Sequence, residues 1–264
     1  MLFRSFGLIF FFLEGKEKRK IKILAGAAFA AILLQALLGG LTVLFLLPPT
    51  ISSAHAALAE IVFALTAVVA LMCSRTWAEL TAHPSPLSLT LEENPKNLRI
   101  SSKGEETEAA LRWTALATGA IFVQIILGAV MRHTGAGLAI PDFPTSFGGL
   151  FPSAADFALR GVPIHFAHRL GALVVLVLVT LAVRALSRVS LGTPLFASLA
   201  SAWAGLVVIQ LLLGALSVWS RKAPSLTAAH LATGALCWVT GVLALVCLWA
   251  CRNPGNALSS ARRA

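Results

Sequence analysis

Gln35-Ala-Leu-Leu-Gly-Gly-Leu-Thr-Val43 leads through Pro48-Pro49 to His55, and Gln210-Leu-Leu-Leu-Gly-Ala-Leu-Ser-Val218 leads through Pro224 to His230. Both Gln-to-His separations are 20 residues, and at a constant offset of 175 the stretches 35–57 and 210–232 agree at ten of 23 positions. Leucine matches between apolar helices carry little information. Gln, Gly, Pro and His matching in one register carry much more, and they mark a duplicated helix hairpin. A third copy of the opening motif stands at Gln124-Ile-Ile-Leu-Gly-Ala129.

Outward from the repeat, the composition fixes the solvent. Of 264 residues, 58% are hydrophobic and 12% charged, with a mean hydropathy of +0.85. Soluble domains sit near about 45–50% apolar and about 25% charged. That difference excludes an ordinary soluble enzyme, a disordered chain and a nucleic-acid-binding arm. A bilayer core needs roughly 20 apolar residues per helix. Six stretches qualify, near 21–47, 51–74, 111–131, 163–186, 194–219 and 224–250, and a seventh run, 2–13, is too short. The expected fold is an all-α polytopic membrane protein built on duplicated four-helix bundles, the second complete and the first partial. Residues 1–74 form the partial first-half bundle and 75–110 a cytoplasmic linker. Residues 111–250 form the complete second-half four-helix bundle, and 251–264 a cytoplasmic tail.

The net charge of +10 follows the membrane rather than an acidic partner. With 14–22 inside, 15 of the 21 Lys and Arg fall on inside segments and six outside. Positive charge stays on the cytoplasmic side, which places the 132–162 loop and both proline hairpins outside and the C-terminus inside. The four Cys lie in or beside apolar runs, so no disulfide framework is implied. Residue 1 aligns with Leu176, inside a helix of the second half. The chain therefore reads as the end of one half and all of the second, either a piece of a longer protein or one whose start is misassigned.

Ionisable residues inside a membrane are costly and mark function. Here they are His55, Glu60, His165, His168, Arg169 and His230. His168 is five residues past Pro163 and His230 six past Pro224. At 1.5 Å per residue both stand roughly 8–9 Å below the outer helix ends. Two imidazoles at one depth on two helices suit a bis-His haem. Zinc would want four ligands, or three and a water, and neither HExxH nor CxxC occurs. The bland alternative is a hydrogen-bonded histidine joining helices. His165 shares a face with His168; it could replace or orient that ligand, or face the outer rim, and the rim is the expected place. Arg132 and Arg169, near the outer surface, would pair with haem propionates or serve as rim charges. His133 and His83 are expected in solvent. Cys247 and Cys251 share a face as spare thiols.

The segment Gly128-Ala-Val-Met-Arg-His-Thr-Gly-Ala-Gly-Leu-Ala-Ile-Pro-Asp-Phe-Pro144 resembles the first external loop of each half in the haem A synthase family. His165-Phe-Ala-His168-Arg169 is similar to that family's His-Arg motif. Leu38 to Pro49, with Ser53-Ala-His55, resembles its third and fourth helices. The resemblance implies eight helices in two pseudo-symmetric bundles. It implies haem b between His168 and His230, and haem O as substrate at His55, the catalytic-half ligand, with iron bound by His55, His168 and His230. It further implies oxidation of the haem O C8 methyl to a formyl group, giving haem A for cytochrome oxidase. The partners it implies are haem O synthase, the oxidase assembly machinery, membrane lipid and, where it self-associates, a second copy, but no nucleic acid. The location it implies is the bacterial plasma membrane. Two departures stand out. The loop has Ile140-Pro141 where some members carry cysteines, and His165 stands where the first-half motif has Glu. Competing readings are a b-type cytochrome that only carries electrons, and a non-catalytic haem chaperone or transporter.

Overall fold

The computed structural model describes residues 16–82, 99–189 and 194–252. The run 2–13, Arg4, His83 and the end of the tail lie outside those residues. The helices are α1 (Lys16–Leu44), α2 (Pro49–Met72), α3 (Arg75–Ala82), α4 (Arg99–His133), α5 (Ala154–Phe157), α6 (Val162–Arg188), α7 (Leu195–Trp219) and α8 (Pro224–Arg252), with a 3₁₀ turn at Ala136–Leu138. Six of them, α1, α2, α4, α6, α7 and α8, are long and apolar enough to cross a membrane. The protein is an all-α polytopic membrane protein.

Helices α4, α6, α7 and α8 form a ring in which each packs on the next, and α8 closes back on α4. The α1–α2 hairpin leans on this ring through α2, which packs on α4 and α8. Within the 75–110 stretch, α3 and the first turns of α4 are helical. Hydropathy sees only the apolar part of α4, whereas its backbone ladder continues into the charged turns before Leu111.

The sequence repeat is a backbone repeat. Leu46 and Leu47 both have positive φ (56° and 60°), as do their counterparts Arg221 and Lys222 (53° and 68°). Leu47 N–H donates to Thr42 O at 2.7 Å, and Lys222 N–H to Ser217 O at 2.8 Å. Ser52 N–H donates to Pro48 O, and Thr227 N–H to Ala223 O, each at 3.0 Å. Each proline stands in the first turn of the returning helix, where its missing N–H costs nothing. The third copy leaves its helix the same way. Gly135, eleven residues past Gln124, has φ 75°, as Leu46 and Arg221 stand eleven past Gln35 and Gln210. Its return to His168 takes 44 residues instead of 20, so the loop is a 24-residue insertion into a hairpin of the same kind.

Two consecutive left-handed non-glycine residues are strained, at roughly 1–2 kcal/mol each for an L side chain. Leu46 is 90% exposed and contributes little packing. Leu46→Gly is expected to stabilise the protein by about 1 kcal/mol, read as a raised melting temperature in detergent.

Candidate functional site

The well-packed core fills only one half of the ring's length. Its members are Ala117 and Ile121 of α4, Val179 and Leu186 of α6, Phe196 and Trp203 of α7, and Cys247 and Leu248 of α8. All stand on the side away from the 134–161 loop. In the loop half, the interior positions are small or polar: Gly128, Ala129, Gly171, Gly214, Ala215 and Gly234, with His168 and His230 among them. Both imidazoles are partly accessible, and each lies within electrostatic reach of the other.

Each of three histidines rests on a glycine of the helix before it. A methyl at Gly39 would stand 3.1 Å from His55 Cε1, one at Gly128 3.1 Å from His168 Cε1, and one at Gly214 3.2 Å from His230 Cε1. Those glycines are the fifth residues of the three Gln-x-x-x-Gly segments. The glutamines hold the same pairs together. Gln35 Nε2 lies 3.3 Å from His55 Nε2, and Gln210 Nε2 3.4 Å from His230 Nε2. Gln124 differs: its Nε2 donates to the backbone carbonyl of His168 at 2.6 Å. Its amide oxygen is pressed against Gly171, where a Cβ would collide with it. The His168 ring is therefore left without a glutamine partner. The Nδ1 atoms of His55, His168 and His230 are all buried with no hydrogen-bond partner. The motif was visible in the sequence, but its glycines carried no assigned role until the helices were paired.

The loop over this site is held by His165 and Arg169. His165 is 3% exposed, not at the rim. Its Nδ1 accepts the Ile140 N–H at 3.2 Å, and the ring also bonds the Ala136 backbone. The physical reason is that the loop folds back over the start of α6 and encloses the side chain. Arg169 reaches the same loop. Its guanidinium donates to the carbonyls of Thr145 (2.8 Å), Ile140 (3.2 Å) and Asp142 (2.6 Å), and to Ser146 Oγ at 3.4 Å. It also lies 5.5 Å from the Phe143 ring centre. Arg169 is thus a loop clamp. Arg132, at the end of α4, is exposed. His133 is half-buried, within electrostatic reach of His55. Trp219 Nε1 donates to Phe143 O at 3.0 Å and ties α7 to the loop.

Asp142 organises the loop tip by accepting the N–H groups of Phe147 (2.8 Å) and Gly148 (2.9 Å). Desolvation works to raise its carboxyl, but hydrogen bonds from Thr145, Gly148 and Phe147 outweigh it and hold it down at about 2.

The donor set fits a haem held by two histidines. Among the described residues no group of three or more His, Cys, Asp or Glu gathers, so a zinc-type set is not assembled. The two imidazoles stand on opposite helices of the ring within electrostatic reach of one another, each seated on a glycine by its Cε1–Nδ1 edge, with Nδ1 unpartnered; the His168 Nε2 has no glutamine on it, and the His230 Nε2 would exchange Gln210 for iron.

A lowered carboxyl stabilises the loop above its unfolded value and loses that contribution as pH falls through the folded one. Trp219 emission, corrected with a Trp219→Phe control, is expected to change between about pH 3.8 and about 2, and Asp142→Asn to abolish that transition. Arg169→Gln removes charge-assisted bonds worth together about 2 kcal/mol or more. Amide exchange across 140–149 is expected to rise roughly thirtyfold.

No curated protein matches the chain closely enough to count as a relative. The family model described as cytochrome oxidase assembly protein matches residues 2–242. The chain belongs to that family, the haem A synthase family of cytochrome oxidase assembly proteins.

Proposed function

We propose that this protein acts in haem A synthesis, oxidising the C8 methyl of haem O to a formyl group. The observation that carries the proposal is the pair His168 and His230, set at one depth in the loosely packed half of a four-helix ring and each seated on a glycine. Family membership points the same way.

In this reading His168 and His230 ligate haem b. Bound there, that group supplies one-electron transfer between the substrate and an outside partner, chemistry that side chains cannot provide. Gly128 and Gly214 let the two imidazoles lie close to their neighbouring helices, and Gln210 steadies the His230 ring. His165 and Arg169 act on the loop, keeping water from the site from above. Arg132, exposed at the end of α4, is positioned to meet a propionate carboxylate. His55 of α2, seated on Gly39 of α1, is the ligand offered to the substrate haem. The apolar surroundings suit the farnesyl tail of haem O. The protein would sit in the bacterial plasma membrane with the basic ends and C-terminus in the cytoplasm. It would receive its substrate from haem O synthase and pass haem A to the oxidase assembly machinery.

The test is a reduced-minus-oxidised spectrum of the detergent-purified chain, followed by an assay for haem O conversion. A b-type signal is expected, and its loss in His168→Ala and in His230→Ala. Gly128→Ala or Gly214→Ala would force an imidazole aside by a few tenths of an ångström, at a cost of about 1–3 kcal/mol, and is expected to weaken haem binding about tenfold or more. A bound haem without conversion of haem O would favour an electron-carrying b-type cytochrome. No bound haem would sink the proposal.

A further inference from the structure

Glu60 has no part in the site just described. It is the one acidic residue deep within a span among the described residues, and its Oε2 is buried with no hydrogen-bond partner. Its spacing to Ala64 and Val68 puts it on one face of α2. Ala64 belongs to the core shared with the ring, and Ala67 and Leu71 pack against that core. Glu60 therefore faces the seam where α2 meets α4 and α8.

The elements around the seam offer it no counter-charge. Helix α1 has no titratable group between Ile23 and Leu44, and α4 has none between Arg112 and Arg132. Helix α8 carries His230, then only the thiols Cys237, Cys247 and Cys251 before Arg252. Arg75 and Glu79 of α3 lie beyond the far end of α2. On α2 itself the nearest such group is His55.

Glu60 stands eleven residues past Pro49, and His230 six past Pro224. At 1.5 Å per residue the two are separated by about 7.5 Å along the bundle axis, on helices packed roughly 8–10 Å apart. A single charge at that range, in a low-dielectric interior, is strongly felt. A lone carboxylate in this seam is costly, and a positive charge at the His168/His230 site would offset that cost.

We propose that Glu60 is the proton-exchanging group of the seam, protonated when an electron is placed at the His168/His230 site and deprotonated when it leaves. This rests on the haem reading above. The oxidised iron carries one more positive charge than the reduced iron. On reduction the iron takes up one of the electrons released by oxidation of the substrate methyl, whose own C–H bonds break at the substrate, and Glu60 takes up one proton from the solvent to form its O–H bond. On reoxidation by the external electron acceptor the electron leaves the iron and that O–H bond breaks, returning its proton to the solvent. The seam is thus kept near electrical neutrality while electrons pass between the two halves.

The test uses the full chain in detergent, as wild type, Glu60→Gln and Glu60→Asp. Redox-difference infrared spectra are expected to show a deuterium-sensitive carboxylic-acid C=O band appearing on reduction, lost in Glu60→Gln and shifted in Glu60→Asp. The midpoint potential should fall with rising pH near neutrality in the wild type and lose that dependence in Glu60→Gln. The haem-free protein should show the same protonated-acid band without any redox change. Haem that binds with no Glu60 band, or with a pH dependence unchanged in Glu60→Gln, would overturn the proposal alone. Absence of a b-type spectrum would overturn the haem reading and the redox coupling with it. The infrared band of the haem-free protein would then report Glu60 by itself.

Discussion

Paired helices in a membrane approach only as closely as the atoms between them allow, and small residues set that limit. In this protein three glycines, Gly39, Gly128 and Gly214, each lie under an imidazole of the next helix. Their missing Cβ atoms let α1 and α2, α4 and α6, and α7 and α8 close on one another while keeping a bulky polar ring between them. The rest follows from that spacing. The rings can stay inside the bundle, Gln35 and Gln210 one turn earlier can reach two of them, and the hydrophobic core of the ring is confined to the other half of its helices.

Much of this was legible in the sequence because it is local and periodic. The six spans, the two tight hairpins and the depth of the histidines depend on runs of apolar residues and on intervals along one chain. The start of α4 was not legible, since its charged first turns are helical for reasons that hydropathy does not register. His165 and Arg169 were harder still. Apart from the Ser146 hydroxyl, their partners are backbone atoms of a loop 24 to 29 residues away, and backbone groups leave no trace in residue identity. An Arg beside a His invites a ligand-binding reading, whereas here its two terminal nitrogens are engaged by the loop.

The two departures from the family pattern gain meaning from this geometry. Position 165 needs a group that accepts an amide proton on one side and bonds a second backbone group on the other, and a neutral imidazole does both. A carboxylate can only accept. Ile140, at 0% exposure, sits where its N–H meets that imidazole, so the stretch that carries cysteines in some members is here part of a packed anchor. The loop of this half is thereby built to hold still.

The loop also enters and leaves the bundle at fixed points. Helix α4 ends with the same left-handed step, eleven residues past its glutamine, that closes the two short turns. Helix α6 begins at the level where α2 and α8 begin, six residues before its histidine. The stumps on which the loop stands therefore match those of a plain turn at the first left-handed residue and at the start of the returning helix. The helix pair is a socket and the loop an interchangeable cassette. A lineage could lengthen, shorten or replace what covers the histidines without disturbing the pair that carries them.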